Sequence, residues 1–129
     1  MNKKYNIHLD GRFIGYTHLE KSDALMGVVF GRIYFEEIES PYEFLIDYCN
    51  KNNVAVNYND PKLNLIDTQV LDGLKVVIDN GKEIVGLGTS INGMDGDEYI
   101  VEVVGIESSM FTNEFPHHVE ENKKLRSSE

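Results

Sequence analysis

Cysteine and long apolar runs are almost absent from this chain of 129 residues. Its single cysteine, Cys49, cannot form an internal disulfide bond. No stretch approaches the ~18 consecutive apolar residues that a membrane-spanning helix requires, and residues 1–5 lack the apolar segment of a signal peptide. We therefore expect a cytoplasmic protein that does not span a membrane.

Basic side chains are also scarce, and their scarcity is concentrated in two segments. Twelve Lys and Arg residues stand against 22 Asp and Glu residues, which gives a formal net charge of −10. The segment 83–122 has no Lys or Arg and carries nine acids: Glu83, Asp95, Asp97, Glu98, Glu102, Glu107, Glu114, Glu120 and Glu121. The segment 33–50 likewise has no base and carries five acids: Glu36, Glu37, Glu39, Glu43 and Asp47. A one-signed surface attracts cationic groups and repels phosphate, so we expect a basic partner and no direct binding to nucleic acid.

The rest of the composition is that of a folded protein. Hydrophobic residues make up 41% of the chain and aromatic residues 10%, which is enough to build a core. The length fits one domain and is too short for two ordinary ones. We predict a single α+β domain over residues 1–115 and a frayed polar tail over residues 116–129, where three acids offset three bases.

Two hairpins are predicted from turn residues that separate extended segments. In the first, an Asp-Gly pair separates residues 5–9 from residues 12–17. In the second, an Asn-Gly pair separates residues 74–78 from residues 83–87, and both dipeptides favour two-residue turns. Such turns place apolar pairs on a common face. The predicted pairs are Ile7 with Ile14, Tyr5 with Tyr16, Val76 with Val85, and Leu74 with Leu87.

Further strands are predicted from apolar composition. Residues 25–35 form an extended segment near the sheet centre, interrupted by Gly27 and Gly31, where we expect bends or bulges. Residues 99–106 are apolar at nearly every position except Glu102, which is typical of a strand near the middle of a sheet. Weaker strand signals lie at residues 54–56 and 63–71.

One helix is predicted, from residue 40 to about residue 52. A capping serine at Ser40, a proline at Pro41 and a glutamate at Glu43 together mark a helix start. Apolar residues then recur at helical spacing, which predicts one buried stripe. The stripe consists of Tyr42, Leu45, Ile46 and Cys49.

The candidate chemical sites fit simpler structural roles. Asp95, Asp97 and Glu98 supply the oxygen ligands that calcium prefers, but their spacing does not match a calcium loop, and a tight turn favours the same residue types. The histidines lack the four converging ligands of a zinc site. Cys49 lies on the apolar stripe, where we expect an inert buried thiol. We therefore predict no catalytic residue, no metal site and no cofactor.

One segment has a recognisable pattern. The run GRFIGYTHLE, from Gly11 to Glu20, is followed by Asp23 and by the tripeptide MGV at residues 26–28. This run resembles a signature of small uncharacterised bacterial proteins, and the resemblance implies no activity and no functional residue. In general character, being small, acidic, α+β and free of catalytic motifs, the chain is also similar to immunity proteins that neutralise bacterial toxins.

These patterns together predict a mainly antiparallel, twisted sheet of five to seven strands with one principal helix. The predicted function is to bind and block a basic protein, most plausibly a nuclease-type toxin, whose surface attracts phosphate. The residues predicted to contact it are six carboxylates and one aromatic anchor: Glu36, Glu37, Glu39, Asp95, Asp97, Glu98 and Tyr99.

Two alternatives and the oligomeric state stay open. A small enzyme or ligand-binding domain would be favoured by a cleft that contains His8 or His18 near a carboxylate. A subunit of a larger assembly would be favoured by an uncovered apolar strand edge.

Overall fold

One antiparallel β-sheet organises the protein. The structure is a computed structural model that describes residues 3–78 and 81–127. The strands in that part of the chain are β1 (Tyr5–Leu9), β2 (Arg12–Thr17), β3 (Lys21–Asp23), β4 (Val28–Phe35), β5 (Val56–Asp60), β6 (Leu65–Thr68), β7 (Leu74–Val77), β8 (Gly88–Met94) and β9 (Tyr99–Val104). They pair in the order β5-β6-β8-β9-β4-β2-β1-β7, and β3 also pairs with β4.

The α+β class and the antiparallel pairing are confirmed, but the predicted number of strands is too low. The sheet has nine strands instead of five to seven. The strands β3, β5 and β6 are only three to five residues long, which is too short for an alternating pattern to be distinctive. The two segments predicted near the middle of the sheet correspond to β4 and β9, which pair with each other there.

Three helices accompany the sheet: α1 (Pro41–Lys51), α2 (Ser108–Glu114) and α3 (Pro116–Ser127). The predicted helix α1 is confirmed, including its start, because the Ser40 hydroxyl accepts a hydrogen bond from the Glu43 backbone N–H at 3.1 Å. The sequence did not predict α2, which is seven residues long, or α3, which is mostly polar. Among the described residues, no helix is both long and apolar enough to cross a membrane.

The sheet has one buried face and one open face. Burial alternates along β4 and β9, so that Ile33, Val101 and Val103 enter the core while Arg32 and Glu102 point to the other side. The apolar residues of α1 and α2 belong to the same core, and Val119 of α3 packs against it. The opposite face of the central strands is therefore accessible to solvent.

The register of the first hairpin differs from the predicted one. Its turn is confirmed, since Asp10 and Gly11 have positive φ angles of 50° and 82°. A β-bulge directly after Ile7 then shifts the pairing by one residue. The pairs are Tyr5 with Thr17 and Ile7 with Gly15, and not Tyr5 with Tyr16 and Ile7 with Ile14. Glycine is required at Gly15, where a Cβ would lie 2.3 Å from the Tyr34 carbonyl oxygen.

The second predicted hairpin is reduced to a single bridge. Val77 pairs with Glu83. In the predicted Asn80-Gly81 turn, Gly81 has a positive φ angle of 84°, and Asn80 lies outside the described part of the chain. The predicted partners Val85 and Leu87 are 57% and 87% exposed, so the predicted register is wrong. The reason is competition from β9: the Leu87 N–H donates to the Val104 carbonyl at 2.8 Å, and the regular strand begins only at the next residue.

The beginning of the predicted polar tail is packed against the domain. His118 in α3 is only 1% exposed, and its Nε2 lies 2.8 Å from the Leu19 carbonyl oxygen, to which it donates. Its Nδ1 is buried without a hydrogen-bond partner, 3.9 Å from the Glu121 carboxylate. The prediction of a frayed tail is therefore wrong at His118, because a polar composition does not show that one residue of a helix is buried.

Replacing His118 is expected to loosen this contact. His118→Ala removes the hydrogen bond to Leu19 and leaves a cavity, so the free energy of unfolding should fall by about 2 to 3 kcal/mol. The neighbouring His117 is exposed and provides a matched control. His117→Ala should change the free energy of unfolding by less than about 0.5 kcal/mol. Urea unfolding of both variants measures the difference. Equal effects of the two substitutions would contradict the packing of α3.

Candidate partner-binding face

A row of cross-strand neighbours runs over the open face of the sheet. It consists of Arg32, Ile100, Asn92, Asp67 and Tyr58, on β4, β9, β8, β6 and β5, and each residue pairs with the next in antiparallel register. Neighbouring strands lie about 4.8 Å apart, so the row spans about 19 Å. The row is long enough to contact an extended segment of another protein.

Two depressions lie over this row, and a third adjoins them on the helix side of the sheet. A cavity of about 570 Å³ lies over β4 and β9, and one of about 430 Å³ lies over β6 and β8. The two share Asn92 and Glu98. A third depression of about 220 Å³ lies beside the start of α1 and is lined by Arg32 and Asp97. We call the surface that lines the three depressions the acidic face.

Charges on the acidic face are strongly unequal. Seven carboxylates line it: Glu20, Glu39, Asp67, Asp95, Asp97, Glu98 and Glu102. Two bases, Lys21 and Arg32, also line it. None of the ion pairs within residues 3–78 and 81–127 involves any of these nine residues. Lys21 and Arg32 therefore lie on this face but form no ion pair with its carboxylates.

Five of the seven carboxylates have no side-chain hydrogen bond within the described chain, and the other two are engaged. The five free ones are Glu39, Asp67, Asp97, Glu98 and Glu102. The Glu20 carboxylate accepts the backbone N–H of Arg32 at 3.1 and 3.2 Å, and Asp95 accepts three hydrogen bonds. Exposed carboxylates without an internal partner remain available to a cation from outside.

Asp95 is a structural residue at the start of α1. Its carboxylate accepts hydrogen bonds from the Ser40 hydroxyl at 2.5 Å, the Tyr42 backbone N–H at 3.0 Å and the Tyr99 hydroxyl at 2.7 Å. Burial alone would raise the pKa of Asp95, but these hydrogen bonds outweigh it and hold the pKa below its ordinary value. The carboxylate therefore joins the β8–β9 turn to the helix N-terminus, where negative charge is favoured.

Tyr99 supports Asp95 from the core. The side chain is 4% exposed, and burial together with the neighbouring Asp95 carboxylate raises the pKa of its phenol. Its ring meets Phe35 edge to face at 5.4 Å. This position leaves Tyr99 without the exposed ring that an aromatic anchor needs, whereas Tyr34 and Tyr58 are exposed on the open face.

Aromatic rings extend from the wall of the first depression along the open face. Tyr16 and Tyr34 stack with their centroids 5.1 Å apart, and the Arg32 guanidinium lies 5.3 Å from the Tyr34 centroid. The Lys4 ammonium lies 4.2 Å from the Tyr16 centroid. The ring faces on this side of the sheet therefore already interact with cations of the chain itself.

The predicted contact residues do not form one compact cluster. Glu39, Asp97 and Glu98 lie on the acidic face, as does Asp95 with its internal role. Glu36 and Glu37 are exposed on the connection between β4 and α1. The sequence-based set omitted three acids of the face: Glu20, Asp67 and Glu102. Glu102 had a usable signal, since it is the one acid in an otherwise apolar strand.

Comparison with known proteins assigns this chain to no family. No protein-family model matches the chain, and no curated protein or solved structure matches it.

Proposed function

We propose that this protein binds and blocks a basic protein through the acidic face, and that the partner is a nuclease-type toxin. The observation that carries the proposal is the presence of five exposed or half-exposed carboxylates without an internal ion pair around an open sheet face: Glu39, Asp67, Asp97, Glu98 and Glu102. A charged surface that lacks internal compensation attracts a surface of opposite sign and accelerates association with it.

The nuclease class follows from the chemistry of the partner surface. A protein that cleaves nucleic acid presents cationic side chains to the phosphates of its substrate. An array of carboxylates on a rigid sheet presents negative charge to those side chains, as the phosphates do. A protein bound to the cationic side chains therefore competes with the nucleic-acid substrate. The formal charge of −10 also disfavours nucleic acid itself as the ligand.

The alternative functions have less support from the geometry. The His18 ring packs edge-on against Tyr16 and Tyr34, and its Nδ1 lies 2.9 Å from the Lys3 carbonyl oxygen. Within the described residues, neither His18 nor His8 forms a hydrogen bond or ion pair with a carboxylate, and a carboxylate near either histidine in a cleft is what would favour the enzyme hypothesis. Two of the three exposed residues of the outer strand β5 are asparagines and the third is Tyr58, so this edge is less apolar than the one that an assembly subunit would present.

The test uses the product of the reading frame immediately upstream of the one that encodes this chain. We expect that product to be basic, to cleave DNA or RNA, and to lose this activity when one equivalent of the present protein is added. Nuclease activity measured against increasing inhibitor gives the stoichiometry. An upstream product without toxin activity, or a nuclease that stays active at tenfold molar excess of this protein, would overturn the proposal.

A further inference from the structure

We propose that the acidic face recognises arginine side chains, and that an extended, arginine-bearing segment of the partner binds along the row from Arg32 to Tyr58. The proposal rests on the proposed function, because it specifies which part of the basic partner is bound. It is carried by charge complementarity on an uncovered sheet face, by the shape of the cavity over β4 and β9, and by the contact between Arg32 and Tyr34.

The cavity over β4 and β9 combines an apolar floor with a carboxylate on each side. Ile100 lies in the floor, directly opposite Arg32 on the neighbouring strand. Glu98 and Glu102 are two residues before and two residues after Ile100, so both flank the row, and both line the cavity. A cation placed over Ile100 would therefore have a carboxylate on either side.

The wall of the same cavity includes the exposed ring of Tyr34. The guanidinium of Arg32 lies 5.3 Å from the Tyr34 ring centroid and forms no ion pair with any described carboxylate. The ring face therefore already accommodates a guanidinium from the chain itself. A planar guanidinium combines stacking on a ring with bidentate bonding to a carboxylate, which an ammonium does not.

The length of the row sets the length of the occupant. An extended segment rises about 3.3 Å per residue, so about six residues cover the 19 Å from Arg32 to Tyr58. Side chains of such a segment point alternately up and down, and three of the six face the sheet. Asp67 lies within the row, between Asn92 and Tyr58, and offers a further carboxylate to the same segment.

Arg32 opposes a cationic occupant. It lies at one end of the row and is, with Lys21, one of the two bases that line the face. Its guanidinium both repels an incoming guanidinium and covers the Tyr34 ring. Removal of its charge should therefore strengthen binding, while removal of the charge of Glu98 or Glu102 should weaken it. Substitutions that merely disturb the fold would all weaken binding, so opposite effects on affinity at neighbouring residues are not expected of them.

The experiment titrates the full-length protein with a blocked hexapeptide of alternating arginine and glycine, followed by amide chemical shifts at low salt. We expect shifts concentrated on β4, β9 and β6, and no binding of the same peptide with citrulline in place of arginine. Relative to the unaltered chain, Glu98→Gln and Glu102→Gln should each weaken the affinity threefold to tenfold, and Arg32→Gln should strengthen it about threefold. The exposed Glu107, outside the face, provides the control Glu107→Gln, which should have no effect.

Three results would overturn the inference: citrulline and arginine peptides that bind alike, a lysine peptide that binds as tightly as the arginine peptide, or an Arg32→Gln variant that binds more weakly. None of these readouts involves a toxin. A protein that binds the arginine peptide but inhibits no upstream nuclease would refute the proposed function alone. Inhibition of that nuclease without binding of the peptide would refute the arginine site alone.

Discussion

Neutralising three carboxylates of the acidic face is expected to slow association with the basic partner about tenfold to a hundredfold at low salt. The variant combines Asp97→Asn, Glu98→Gln and Glu102→Gln. These side chains have no internal ion pair in the described chain, so the fold should be retained while the local field is reduced. Stopped-flow association with the upstream nuclease at several salt concentrations measures the rate and its salt dependence.

The control for this experiment changes the net charge equally at another place. Asp47→Asn, Asp72→Asn and Glu107→Gln remove three exposed carboxylates that do not line the acidic face. At 0.1 M salt, where distant exposed charges are screened beyond about 10 Å, we expect its association rate to stay within about threefold of the original. If both triple variants slow association to the same extent, total charge and not the face determines binding.

Replacement of Asp95 is expected to destabilise the fold by about 2 to 3 kcal/mol at neutral pH, because Asp95→Asn weakens three hydrogen bonds and removes a charge at the N-terminus of α1. The effect should depend on pH. The folded-state pKa of Asp95 lies below its ordinary value, so its carboxylate stabilises the folded state above the unfolded pKa, which is about 3.9. This contribution is lost as the pH falls through the folded-state pKa.

Urea unfolding between pH 2 and pH 7 tests this prediction. The difference in stability between the original chain and Asp95→Asn should be constant above about pH 5 and shrink in more acidic solution. Asp97, two residues further on, is exposed, and its carboxylate forms no hydrogen bond within the described residues, so Asp97→Asn should change stability by less than about 0.5 kcal/mol. A difference that does not change with pH would contradict the role assigned to the Asp95 carboxylate.

Local signals predicted those parts of the fold that local interactions determine. The start of α1 depends on Ser40 and Glu43, which lie three residues apart, and the first hairpin turn depends on two adjacent residues. Gly15, beside the bulge of that hairpin, instead approaches the Tyr34 carbonyl of β4, a strand that is distant in sequence, and no local signal shows this contact. In the same way, α3 is placed by the hydrogen bond from His118 to the distant Leu19.

The candidate site was predicted in part for the same reason. A count of charges located the acidic segment that contains Asp97, Glu98 and Glu102, but it did not separate exposed acids from those used inside the fold. Asp95 illustrates the limit, because its three donors come from α1 and β9 and are apparent only after the sheet has formed. Asp67 was missed because it lies on the short strand β6, which has little pattern of its own.

The measurement that tests the central claim most directly is the paramagnetic relaxation of amide protons by a cationic and an anionic nitroxide of equal size. The ratio of the two effects reports the local potential at each residue without any partner. We predict the highest preference for the cationic probe at residues 92–102 and at Asp67, with the preference lost there in the triple variant of the acidic face. A uniform preference over the whole surface would contradict a cation-attracting face.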